Sequence, residues 1–233
     1  MTNTLICIYT CSRDIECDIL IRESDWYLKN QSPVLFVTCD PSITHDYIFQ
    51  HKSNKLIIKT EESYTNLSTK TLKMIQAVVA EMQFDYMVKV DSTLINYRMK
   101  TESWHKWSAF EEFIASDKSL QVYGGIKYWK HLKLRRTLAW HRDRGISVNK
   151  DDIVNIFRGN IPYDKHKNKW YKVKFPGWWT GKCYVINREF AEYISLNGDS
   201  INSMFIKANL GAPEDLYIGN MYSRYNKLRP YYE

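Results

Sequence analysis

Three short stretches place carboxylates where they could do chemistry. The run Tyr86-Met87-Val88-Lys89-Val90-Asp91 is apolar and β-branched, of strand type, and delivers Asp91 to its C-terminal edge. A carboxylate there contacts a ribose or a metal ion, or it simply caps the turn after a strand. Glu214 and Asp215 follow Pro213 at the start of a helical pattern, where acids complement the positive end of a helix. The chemical alternative is a general base: an inverting sugar transfer needs a carboxylate to take the proton of the acceptor hydroxyl, opposite the leaving group. Asp40 closes a second strand-like run, Pro33 to Asp40. Trp178-Trp179, flanked by Gly177 and Gly181, form either a stacking face for a sugar or part of a core. Two basic stretches with interleaved aromatics, residues 127–136 and 165–174, read as solvated loop, as a track for a nucleic-acid backbone, or as a source of cations for a diphosphate.

Other chemistries are excluded. The chain has no GxGxxG or GxxxxGK[ST] phosphate loop and no GxSxG nucleophile elbow, and its six His form no HExxH. None of the five cysteines forms a CxxC pair, and their odd number rules out a complete set of intramolecular disulfides. A zinc site is not expected, and the chain reads as reduced and intracellular.

The elements that would position these residues alternate. Strands are expected over Leu5 to Cys11, Pro33 to Asp40, Lys55 to Lys59 and Phe84 to Asp91. An irregular helix is expected after the first, capped by Ser12 or Asp14. A well-patterned helix is expected from Asn66 to Met82. This order implies parallel βαβ units, whose ligands sit beyond the carboxyl ends of the strands, where Asp40 and Asp91 fall. The second half differs. It offers a helix over residues 107–116, a strand with a Gly-Gly break near Tyr123, and a long basic tract from Lys127 to Lys169. Two strands around a Pro-Gly turn, two short helices (residues 187–195 and 199–208) and a last helix after Pro213 complete it. The expected architecture is one α/β domain over residues 1–233. Residues 1–95 would be its nucleotide-sugar half and residues 96–233 its acceptor half.

The order of these pieces resembles the β-1,3-galactosyltransferase family, which includes the Fringe-type transferases. Ile21, Arg22 and Trp26 are similar to its Ile-Arg-x-Thr-Trp, with one extra residue and Ser24 for Thr. Glu62 to Thr71 ("ESYTNLSTKT") is close to acidic-x-Tyr-x-Asn-Leu-Thr-x-Lys-Thr, the most specific match. "YMVKVDST" falls where the family has Lys-x-Asp-Asp-Asp. Residues 168–187 resemble its Lys-Trp-Tyr and Tyr-Pro-x-Tyr-x-x-Gly-x-Gly-Tyr-Val segment, and "APEDLYIG" its Glu-Asp-Val-Tyr-x-Gly. The matches run from Ile21 to Gly219, nearly the whole chain.

The resemblance implies a GT-A fold with a mostly parallel central sheet. It implies an inverting hexosyltransferase that moves a sugar, galactose favoured, from a UDP-sugar to a hydroxyl of a glycan or glycoprotein. Asp215, or after it Glu214, would be the base. Asp91 would lie at the ribose and diphosphate of the donor, Asp40 near the uridine, and Trp178 and Trp179 at the acceptor. Tyr64, Asn66 and Lys70 match the motif with a role that includes the structural one. Ser92 and Thr93 depart from the family's carboxylates, and neutral hydroxyls are poor ligands for a hard divalent cation. Mn²⁺ would then be held weakly, through Asp91 and the diphosphate, or not at all. Positive charge for the departing UDP would come from Lys89, Arg13 or a cation between Lys127 and Lys174. The competing reading is a non-catalytic sugar- or nucleotide-binding domain on the same fold.

Composition is compatible with both. With 33 Lys and Arg against 26 Asp and Glu the chain is basic, which favours anionic partners or serves solubility alone. The 17 Tyr and 8 Trp suit sugar platforms as well as cores. No nucleic-acid-binding motif accompanies the charge, so nucleic acid is not an expected partner. The N-terminus has no basic leader and only a short apolar run, so neither a signal peptide nor a membrane span is expected, which suggests the cytoplasm.

Overall fold

The computed structural model describes residues 3–29, 31–93, 95, 122–125, 128–129, 141–148, 178–179, 181–209 and 214–228. The apolar runs become β1 (Thr4–Tyr9), β2 (Val34–Cys39), β4 (Lys55–Ile58) and β5 (Tyr86–Asp91). β1 is parallel to β2 and β5, and β2 to β4. An edge strand, β3 (Tyr47–Gln50), runs antiparallel to β4. On the other side β9 (Cys183–Asn187) is antiparallel to β5, and the short β6 (Tyr123–Gly125) pairs antiparallel with β9. The seven strands lie in the order β3-β4-β2-β1-β5-β9-β6. A separate ladder joins β7 (Tyr128–Trp129) to β8 (Trp178–Trp179). The architecture is therefore an α/β domain around a mixed sheet whose centre is parallel.

Alternation along the central strands feeds two cores, one on each face of the sheet. Leu5, Cys7, Tyr9, Met87, Tyr184 and Ile186 join the larger. Ile6, Ile8, Val88, Val90, Cys183 and Val185 join the smaller. Burial on both faces explains why these runs read as continuous hydrophobic stretches. The larger core is covered by α3 (Leu67–Glu81), α4 (Arg188–Lys207) and α5 (Glu214–Leu228). The smaller is closed by Ile21 of α1 (Ile15–Glu23) and Tyr27 of α2 (Asp25–Lys29). Five α-helices are thus present among the described residues.

Two expectations change in detail. The irregular helix after β1 is a 3₁₀ turn (Ser12–Asp14) followed by α1 and α2. Ser24 breaks it by turning extended, and its hydroxyl accepts from the Tyr27 N–H at 3.2 Å, opening the second helix. The two short helices expected after β9 are one helix of 20 residues, α4. Asn187 caps it, its side chain accepting from Phe190 N at 2.9 Å.

Inside α4, the missing side chain of Gly198 lets three helices close on one another. A Cβ there would strike the Tyr217 hydroxyl of α5 and lie 2.5 Å from Leu72 Cδ1 of α3. Alanine normally adds about 1 kcal/mol to a helix interior. Here overpacking of about 1–3 kcal/mol opposes it. Gly198→Ala is therefore expected to lower stability, read as a lower urea midpoint at unchanged slope.

The helix expected over 107–116, most of the 127–169 tract, the strand preceding Pro176, and Pro213 lie outside the described residues.

Candidate functional site at the carboxyl edge of the sheet

From β1 the chain moves outward to β2 and then β4, and crosses back to β5 on the other side of β1. The direction of travel thus reverses between β1 and β5. In open α/β sheets this switch point opens a crevice beyond the carboxyl ends, the usual seat of a ligand. Tyr9 and Asp91, the last residues of the two strands, are register partners there.

Period two on β5 puts Lys89 and Asp91 on the same face. Lys89 is flanked in register by Cys7 of β1 and Tyr184 of β9, so its side chain starts inside the larger core. Its side chain is 1% exposed. A buried ammonium group persists only when paired, and Lys89 has three partners. Its Nζ donates to Asp91 Oδ1 at 2.6 Å, to Glu214 Oε1 at 2.6 Å and to the Gly181 carbonyl. It also lies 4.3 Å from the centre of the Tyr9 ring. Burial opposes its charge, but Asp91 and Glu214 outweigh that and raise its pKa, so it is protonated at neutral pH. Lys89 is therefore committed to internal carboxylates and offers no exposed charge to a diphosphate, which departs from the role expected of it.

Glu214 and Asp215 open α5 beside this lysine. Glu214 is buried and points inward to Lys89. Burial raises its pKa, with Lys89 pulling against it. Asp215 is partly exposed and takes two N–H donors, Gly181 to Oδ2 at 3.2 Å and Leu216 to Oδ1 at 2.9 Å. Burial, then the charge of Glu214, push its carboxyl up to about 7. The two neighbouring acids thus divide, one pairing with the lysine and the other poised to exchange a proton near neutral pH. Gly181 serves both, and a Cβ on it would lie 2.7 Å from Glu214 Oε1.

Asp91 is 35% exposed at the crevice and its N–H donates to the Lys182 carbonyl at 3.0 Å. Ser92 is buried, its hydroxyl directed to Asp14 Oδ2 at 3.4 Å, and Thr93 is exposed. These residues do not fit a resident Mn²⁺. Asp91 is the single carboxylate of its stretch and already accepts from Lys89. Among the described residues no group of three or more His, Cys, Asp or Glu side chains could hold a metal ion.

The remaining sequence candidates fall around this centre. Asp40 follows β2, on the far side of β1 from Asp91, roughly two strand spacings or about 10 Å away. Its Oδ1 is taken by Ser42, by the N–H at 2.8 Å and the hydroxyl at 2.6 Å, which lowers its pKa and makes it the anchor of a local turn. Arg13 lies in the 3₁₀ turn just beyond β1, at the same edge. The backbone of Trp178 and Trp179 forms β8, which runs beside α5 and so borders the Asp215 end.

Three contacts were not foreseen from the sequence, although Lys70 was among the motif residues for which a structural role was allowed. Glu62 and Lys70 form a clamp at the carboxyl ends of β1 and β2: buried Lys70 donates to the Thr10 carbonyl at 2.8 Å and to Glu62 Oε1 at 3.0 Å, while Glu62 Oε2 accepts from Cys39 N at 3.1 Å. This pins the ends of β1 and β2 together and gives two residues of the "ESYTNLSTKT" stretch a structural task. Tyr9 and Tyr184, buried beside Lys89, keep neutral phenols because burial raises both. Third is the Lys89–Glu214 contact. A lysine inside a fully buried strand signalled that a partner exists, but nothing local pointed 125 residues onward.

No protein-family model matches the chain, and no curated protein matches its sequence. None of the five cysteines is in a disulfide. Among the described residues no helix is long and apolar enough to cross a membrane.

Proposed function

We propose that this protein is an inverting glycosyltransferase of GT-A architecture that moves a hexose, galactose favoured, from a UDP-sugar to a hydroxyl of a glycan or glycoprotein. One observation carries the reading: a partly exposed carboxylate, Asp215, with its pKa pushed up to about 7, stands at the switch-point edge of the sheet, bonded to the N–H of Gly181, whose carbonyl accepts from the same Lys89 that holds Asp91. Asp91 meets the ribose and diphosphate of the donor in the crevice between β1 and β5. Asp215 takes the proton of the acceptor hydroxyl. The freed oxygen attacks the anomeric carbon as the bond from that carbon to the diphosphate oxygen breaks, and the electron pair leaves with UDP. The negative charge of UDP falls to Arg13 and to cations of residues 127–174, since Lys89 is already paired. Trp178 and Trp179 line the acceptor side.

A thermal-shift screen of UDP-sugars identifies the donor, and the anomeric configuration of the product by NMR tests the mechanism. Inversion with release of UDP is expected, and retention contradicts it. Only ionised Asp215 can accept a proton, so kcat is expected to fall as pH drops through about 7 and to level off above it. A pH–rate profile flat between pH 6 and 8 contradicts the assignment of the base. The lone carboxylate at Asp91, already bonded to Lys89, also favours the second reading, a domain that holds a nucleotide-sugar without transferring it. UDP binding without turnover of any UDP-sugar would establish that reading instead.

A further inference from the structure

The buried lysine belongs to neither half of the site alone. We propose that Lys89 is a positioning residue that locks the donor-side carboxylate, Asp91, and the base, Asp215, into one rigid unit. An ammonium group has three donors, and all three of Lys89 are used on three different pieces of backbone. Asp91 ends β5, Glu214 opens α5, and Gly181 precedes β9. Gly181 carries the constraint onward: its carbonyl accepts from Lys89, while its N–H donates to Asp215 Oδ2. Its missing side chain leaves the room Glu214 needs. The Tyr9 and Tyr184 rings, 4.3 and 5.8 Å from Nζ, wall the ammonium in. With 1% of its side chain exposed, Lys89 does not touch a substrate and acts through its partners. The claim that this unit serves sugar transfer rests on the function proposed above, but the unit itself does not.

The test separates stabilising from positioning. In the double variant Lys89→Met/Glu214→Leu the buried charges are replaced by apolar groups, a change that often restores or raises stability. Asp91 is then left half-exposed to water. The expected outcome is a Tm near that of the native protein but lost amide protection at Gly181 and Leu216 in hydrogen exchange. With a UDP-sugar donor, kcat is expected to fall by about 10²-fold, as for a catalytic group displaced by about 1 Å. KM for the donor is expected to rise because Asp91 loses its rotamer.

Native protection at both amides, or native kcat and KM, overturns the proposal. If the native protein transfers no sugar, the functional reading fails, and the exchange result still decides the positioning role. Should the double variant not fold, Glu214→Ala keeps the Lys89–Asp91 pair and removes only the helix-side acceptor. The same two amides are expected to lose protection, and their full protection overturns the proposal.

Discussion

Asp215→Asn is expected to cut turnover by about 10²–10⁴-fold, the usual contribution of a general base, while leaving UDP affinity unchanged. Asparagine keeps the size of the side chain and an acceptor for one of the two N–H groups, Gly181 or Leu216, that now bond separate oxygens of Asp215. It removes the only function the proposal assigns to this residue. Stability is expected to move the other way. The folded protein raises the pKa of Asp215 above its ordinary value of 3.8, to about 7. Folding therefore favours the protonated form, and this carboxyl's contribution to stability is lost as pH rises from about 4 through 7. At pH 8 the ionised group sits in an unfavourable place, beside Glu214, and a neutral amide relieves that. A variant that is at least as stable as the native protein yet nearly inactive is the signature of a group held against its preference for the sake of function. A variant with normal turnover removes Asp215 from the mechanism. One that loses activity together with a cooperative unfolding transition makes it structural.

The second large effect is on folding. Lys89→Met alone leaves Glu214 buried without its cation, and breaking a buried ion pair in this way costs about 3–5 kcal/mol. For a chain of this size each kcal/mol shifts Tm by about 2–4 °C, so a fall on the order of 10 °C is expected by calorimetry. Glu214 is the reason: its side chain is 8% exposed, whereas that of Asp91 is 35% exposed and finds water when released. The loss should shrink at low pH, where Glu214 takes up a proton and no longer needs a partner. A Tm within a degree or two of the native value would mean that the three contacts of Lys89 do not hold β5 to α5.

Much of the parallel centre was legible in the sequence because its strands are buried on both faces. Runs such as "LICIY" and "VLFV" have no other use for so many β-branched and apolar residues. The helix α3 was legible for the complementary reason, one apolar stripe at helical spacing. The edge strand β3 was not, since Tyr47 to Gln50 is only partly buried and pairs on one side alone. Residues 196–198 fell between two expected short helices, and the structure runs one helix through them with Gly198 at a close contact, which depends on Tyr217 and Leu72 arriving from elsewhere. At the site, Asp91, Glu214 and Asp215 announced themselves as acids at a strand end and a helix start. What joins them could not be read, because Lys89 and Glu214 meet only after the sheet has folded. The same holds for Lys89 itself, expected among the cations facing a diphosphate and found instead as the internal counter-ion of two carboxylates.

The crevice between β1 and β5 is proposed to hold a UDP-sugar, with Asp91 on the donor and Asp215 beside it as the base. Calorimetric titration with UDP tests it most directly, on the native protein and on Asp91→Ala and Asp215→Asn. Saturable binding to the native protein, weakened in Asp91→Ala and unchanged in Asp215→Asn, is the expected result. No binding of UDP to the native protein, or equal binding to all three, would contradict it.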